Sequence, residues 1–127
     1  MDYVLVFLGG GLGASARLAI NSCLTRWLGG DLPYGTLFIN ISGSLIMGLV
    51  VAALAFRSGG GEVMQSWRLF LTTGILGGYT TFSAFSLEAV LLYERGALGL
   101  AALYVGASVV LAITGLISGL YLVRQFS

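Results

Sequence analysis

The sequence predicts an all-α integral membrane domain of four transmembrane helices, the third of them broken mid-membrane. Three observations lead there. Of 127 residues, 57% are hydrophobic and only 9% are charged, with a mean hydropathy of +0.98, whereas soluble domains carry about a quarter charged residues. The apolar residues form four stretches, each meeting the roughly 20-residue length a spanning helix needs. The third stretch is interrupted by glycines, hydroxyls and a carboxylate. The whole chain, 1–127, reads as one four-span domain, without linker or repeat.

The first span runs from about Tyr3 to Leu28. It is read as a span and not as a signal peptide, because Asp2 stands where a basic n-region would be and no A-x-A site follows. The second runs from about Gly35 to Phe56. Pro33 and Gly35 mark its turn, and Thr36 is placed to cap it. Asn40 lies one turn on, with Gly43 and Ser44 continuing its face. An asparagine amide in hydrocarbon needs a partner, so Asn40 is either interhelical glue or a ligand.

The third span, Arg68 to Tyr93, has the centre Thr72-Thr73-Gly74-Ile75-Leu76-Gly77-Gly78-Tyr79-Thr80-Thr81-Phe82-Ser83-Ala84-Phe85-Ser86-Leu87-Glu88. Unpaired peptide groups are costly in hydrocarbon, so a broken helix survives only where protein or a water-filled path covers it. Transporters place ions at such breaks. A glycine surface for close helix packing is the plainer reading. Packing alone does not call for Thr80, Thr81 and Glu88, so an ion site is preferred. Beyond the break, Phe82 and Phe85 share one face and Thr81 and Glu88 the neighbouring one. The two rings could simply be core, or their positive edges could meet an anion beside the Asn40 N–H. Freed carbonyls at Gly77 to Thr80 would suit a hard cation such as sodium.

The fourth span, about Ala97 to Val123, carries Tyr104 and Ser108 at i and i+4, while position 112, next on that stripe, is alanine and Thr114 and Ser118 lie off the line. Hydroxyls of this kind often bond only their own helix carbonyls.

Catalysis finds little support. The chain has no histidine and a single cysteine, Cys23, which excludes histidine-based sites and an intrachain disulfide. Only Glu88 among five carboxylates lies inside a span. Gly9-Gly10-Gly11 and Gly59-Gly60-Gly61 lack the lysine or strand context of a nucleotide loop. A net charge of +1 gives nucleic acid no purchase. All basic residues are arginines. Arg57, Arg68 and Arg124 fall on one side of a four-span topology; Arg26 and Arg95 fall on the other, with Arg17 near the same end of its span. Because orientation follows this excess, the balance predicts insertion both ways. Four helices are too few to enclose an aqueous path, which predicts a homodimer, antiparallel if its chains insert oppositely.

Three blocks resemble the Fluc (CrcB) fluoride channel family, in order and over nearly the whole chain. Gly9-Gly10-Gly11-Leu12-Gly13-Ala14-Ser15-Ala16-Arg17 is similar to its G-G-x-x-G-A-x-x-R, and Gly35-Thr36-Leu37-Phe38-Ile39-Asn40-Ile41-Ser42-Gly43 to its G-T-L-x-x-N-x-x-G. The specific block is Gly77-Gly78-Tyr79-Thr80-Thr81-Phe82-Ser83-Ala84-Phe85-Ser86-Leu87-Glu88, which resembles G-G-x-T-T-F-S-x-F-S-x-E. The resemblance implies a dual-topology homodimer in a prokaryotic inner membrane, with two antiparallel pores that pass fluoride passively. It implies a fluoride path along Asn40, Phe82, Phe85, Tyr104 and Ser108. Arg17 would lie at a vestibule, and Thr36, Thr81 and Glu88 on a polar track. One structural sodium would be held by the Gly77 and Thr80 carbonyls. Tyr79 stands where leucine is usual, and Ala112 where some members have serine. The alternative is a proton-coupled antiporter of the small multidrug resistance type, but that mechanism turns on a first-span glutamate and this first span has no acid after Asp2. A third possibility, a non-transporting assembly subunit, leaves the break without a role.

Overall fold

The computed structural model describes residues 1–56 and 61–126. Arg57, Ser58, Gly59, Gly60 and Ser127, invoked in the charge and glycine arguments or at the terminus, lie outside them. The elements are α1 (Asp2–Leu28), α2 (Tyr34–Phe56), α3 (Gly61–Arg68), a π-helix π1 (Leu69–Leu76), a short α4 (Gly77–Tyr79), α5 (Phe82–Glu94) and α6 (Leu98–Gln125). Four helical segments are long and apolar enough to cross a membrane: Asp2–Leu28, Tyr34–Ala55, Gly61–Glu94 and Leu98–Gln125. With one broken by Thr80 and Thr81, these make the four spans that hydropathy predicts.

Two boundaries differ from the sequence reading. The third span begins at Gly61 and not near Arg68, because α3 is an amphipathic helix of about two turns that a hydropathy window passes over. At about 1.5 Å per residue, the 34 residues of Gly61–Glu94 reach roughly 50 Å, well beyond the roughly 30 Å hydrocarbon core. The surplus is α3, whose Glu62, Arg68 and exposed Trp67 belong at headgroup level. The second span begins at Tyr34, directly after Pro33. Thr36 is therefore inside the helix and does not cap it. Gly35 is helical as well, and it is needed because a side chain there would overlap Asn21.

Close approach of backbones organises the bundle, as expected where lipid removes the hydrophobic drive between helices. α1 packs on π1 and α2 on α6. A Cβ on Gly9 would come within 2.8 Å of the Phe70 carbonyl and 3.0 Å of Gly74 Cα. One on Gly13 would overlap the Ile75 carbonyl, and one on Gly78 would reach 3.0 Å from Gly10 Cα. The packing reading thus holds for Gly74 and Gly78. It fails for Gly77, which is exposed and whose Cβ would meet only the Thr72 carbonyl at 3.5 Å. Gly77 also has ordinary helical dihedrals, φ −63° and ψ −38°. Nothing in its backbone conformation therefore requires glycine.

The core lies in two clusters. Ile39, Leu76 and Tyr79 form one; Leu32, Phe85, Leu92 and Tyr104 form the other. The break lies between them, so each half of the third span is anchored in its own cluster. Arg95 donates to the Asp31 carbonyl at 3.2 Å, which places the two short loops at one end, as four successive spans require.

Candidate functional site: a broken helix beside a half-open cavity

The interruption is confined to two residues. Thr80 has φ −81° and ψ 158°, and Thr81 φ −151° and ψ 120°; both are extended, and the helix resumes at Phe82. Tertiary contacts explain why it stops. Asn40 on α2 binds the Thr81 main chain twice: its Oδ1 accepts from the Thr81 N–H at 2.9 Å, and its Nδ2 donates to the Thr81 carbonyl at 3.0 Å. The Thr81 hydroxyl then accepts from the Ala84 N–H at 3.1 Å and so caps α5.

These bonds also redirect donors. In an uninterrupted helix the Thr81 N–H would bond the Gly77 carbonyl and the Ala84 N–H the Thr80 carbonyl. Asn40 takes the first donor and the Thr81 hydroxyl the second. Gly77 and Thr80 are thus two of the four carbonyls, Gly77 to Thr80, that lose their helical donors at the break. The Thr80 hydroxyl bonds back to the Leu76 carbonyl at 2.9 Å, so its main-chain oxygen, and not its side chain, is the group left available. Among the described residues no cluster of three or more His, Cys, Asp or Glu occurs. A cation here would be held by neutral oxygens, which suits a hard ion such as sodium.

Against the break lies a cavity of about 410 Å³, lined by Asn40, Ser44, Thr80, Phe82, Phe85 and Ser108 on its polar and aromatic side, and continuing past Ala112. Phe82 and Phe85 are in ring contact, centroids 5.5 Å apart, and Phe85 meets the Tyr104 ring at 5.3 Å. Their surroundings divide them: Phe85 is core, whereas Phe82 is 77% exposed beside the cavity. Ser108 is buried, and its hydroxyl is the one buried side-chain polar atom among the described residues with no hydrogen-bond partner. A buried hydroxyl normally finds a partner; this one, on a residue that lines the cavity, has its donor capacity unused within the chain.

A second cavity, of about 510 Å³, opens at the short-loop end and is lined by Asn21, Thr25, Asp31, Glu88 and Arg95 among others. The Tyr104 hydroxyl donates to Glu88 Oε1 at 3.4 Å, and Thr36 is within hydrogen-bonding reach of the same hydroxyl. Glu88 lines this cavity and bonds Tyr104, and Ser108, one turn further along the helix of Tyr104, lines the first. Thr81, at the break, lines the first cavity as well, whereas Arg17, half-buried on α1, lines neither. Sequence reasoning missed Asn21 and the bond between Ser42 and Tyr79, 2.9 Å across. A tyrosine within a glycine-rich apolar run was the available signal for the second.

This architecture, a multi-pass membrane bundle with a discontinuous third span and a polar, aromatic-lined cavity at the break, defines an ion-handling membrane protein. The chain belongs to the CrcB family: the family model described as CrcB-like protein, Camphor Resistance (CrcB), matches residues 4–120. It is 64% identical over 127 residues, the whole of both chains, to the fluoride-specific ion channel FluC of Rhodopseudomonas palustris (strain BisB5). It is 59% identical, again over both whole chains, to fluoride-specific ion channel FluC 2 of Nitrobacter hamburgensis. The FluC protein of Granulibacter bethesdensis is 55% identical over 124 residues, 98% of this chain and 95% of that one. With relatives in bacteria and four spanning helices, the chain is a multi-pass bacterial membrane protein. The antiporter alternative finds no support in these similarities.

Proposed function

We propose that the protein is a fluoride-selective channel that lets cytoplasmic fluoride leave passively, working as an antiparallel, dual-topology homodimer with two pores and a central structural sodium. The observation that carries the pore is the unpartnered Ser108 hydroxyl on the wall of the Phe82–Phe85 cavity; the names of the relatives supply the ion. A small anion entering hydrocarbon depth must exchange its water for other donors. The Ser108 O–H is free to donate, Asn40 retains one N–H beyond the one given to Thr81, and the ring edges of Phe82 and Phe85 carry positive charge. The line through Tyr104, Thr36 and Glu88 gives the ion a polar way out to the loop-end cavity.

Two observations support the second copy. The 77% exposure of Phe82 leaves the cavity half-walled, and exposed Gly77 has no packing reason within one chain to be glycine. A partner running antiparallel would close the first and account for the second. The Gly77 and Thr80 carbonyls of both subunits would hold the sodium, which when bound supplies positive charge that ties the two breaks together. Balanced arginines support insertion in both orientations.

The test is efflux from liposomes holding the purified protein. Fluoride should leave down its gradient without a pH gradient, and chloride should remain. Strict coupling to protons, or chloride released as fast as fluoride, would overturn the proposal.

A further inference from the structure

Tyr79, placed where the family resemblance expects leucine, is buried and tied to α2. The Ser42 hydroxyl donates to the Ile39 carbonyl at 3.2 Å, so the tyrosine is the donor in the 2.9 Å bond between the Tyr79 and Ser42 oxygens. Its ring lies over Gly43, where a Cβ would come within 3.1 Å of it and would overlap the Thr80 methyl. α2 therefore grips the third span twice: at Tyr79, one residue before Thr80, and through Asn40 at Thr81, one residue after it. Between the two grips is a carbonyl whose helical donor has been diverted.

We propose that Tyr79, acting through Ser42, is a positioning residue that fixes the leading side of the break, as Asn40 fixes the trailing side, and so holds the Gly77 and Thr80 carbonyls in place for a cation. A leucine would fill the same pocket without the bond, so this chain has a two-sided clamp where a leucine-bearing relative has a one-sided one. The inference rests on the reading of the break as a sodium site, and its test keeps the two apart.

Thermal unfolding of the purified protein is followed while sodium replaces a large organic cation at constant ionic strength. Amide exchange at Thr81 is followed in the same samples. Tyr79→Phe keeps the ring and removes only the bond, worth about fivefold in an equilibrium constant. It should weaken sodium binding by about that factor, so that the two proteins are equally stable in the large organic cation and diverge as sodium rises, by up to that factor in the unfolding constant, and it should speed Thr81 exchange. Ser42→Ala should do the same, and the double variant should add nothing further. Equal loss of stability at every sodium concentration, or no change at all, would overturn the positioning role. An unmodified protein indifferent to sodium, with Thr81 exchange still faster in Tyr79→Phe, would retain the clamp and discard the cation. Thr81 exchange unchanged by Tyr79→Phe would discard the clamp whatever sodium does.

Discussion

Asn40 and Thr81, 41 positions apart, are joined by two hydrogen bonds of 2.9 and 3.0 Å, so one asparagine amide takes the N–H that the break frees and adds a donor to the carbonyl that starts the next helix. This is how a helix can be interrupted at membrane depth, where unpaired peptide groups are otherwise prohibitive. Both readings of Asn40 left open by the sequence are compatible with this geometry. Its Oδ1 and one N–H secure the break, and its other N–H remains for a ligand.

Asn40→Ala leaves the Thr81 N–H without its partner, at about 1–3 kcal/mol when buried, and removes the second donor to the Thr81 carbonyl. Thermal unfolding in detergent should show a loss in that range or above, together with abolished fluoride efflux. Asn40→Asp keeps the acceptor for the Thr81 N–H and loses the donor, so it should be intermediate in stability. Stability unchanged in Asn40→Ala would show that the break does not depend on this pair.

Ser108→Ala should separate stability from transport. The hydroxyl has no partner in the folded chain, so replacing it removes a desolvated polar group at no loss of an internal bond. Unfolding should be unchanged or slightly shifted upward. If the hydroxyl serves the ion, efflux should fall about tenfold, the value of a hydrogen bond to a charged group. A clear loss of stability would instead mean that the hydroxyl is bonded within the protein.

Glycine substitutions should divide by location. Gly13→Ala pushes a methyl into the Ile75 backbone and should destabilise by about 1–3 kcal/mol, the usual cost of overpacking. Gly77→Ala has helical dihedrals and space within one chain, so circular dichroism should show an unchanged helical content. Its effect should appear in the dimer, as weaker association in sodium measured by single-molecule photobleaching or crosslinking. Equal dimerisation with and without the methyl would remove Gly77 from the subunit interface.

Orientation is checked by reporter fusions after Gln125, which should score on both sides of the membrane. Two or three lysines introduced into the segment just before Gly61 should bias the population and lower activity, because antiparallel partners become scarce. One fixed orientation in the unmodified protein would exclude an antiparallel dimer.

Hydropathy by itself determined the four spans, because a spanning helix must be apolar over its whole length and that property is local. The third-span composition likewise announced an interruption, and the i, i+4 spacing put Tyr104 and Ser108 on one face. What the sequence misplaced was the cause of the break. Glycines and hydroxyls alike marked the interruption, yet Gly74 lies in a π-helix and Gly77 and Gly78 lie in an α-turn. The chain leaves the helix at two threonines. The decision comes from Asn40 on another helix, whose amide outcompetes the local i to i−4 partner of the Thr81 N–H. Tyr79 was similarly illegible: in the sequence it marked only a departure from leucine, yet it is a buried donor to Ser42. The amphipathic α3 escaped because its periodicity, unlike its mean hydropathy, is what marks it. Local chemistry could say that a helix here is weak; only the tertiary structure, by bringing a competing hydrogen-bond partner to one peptide, could decide where it ends.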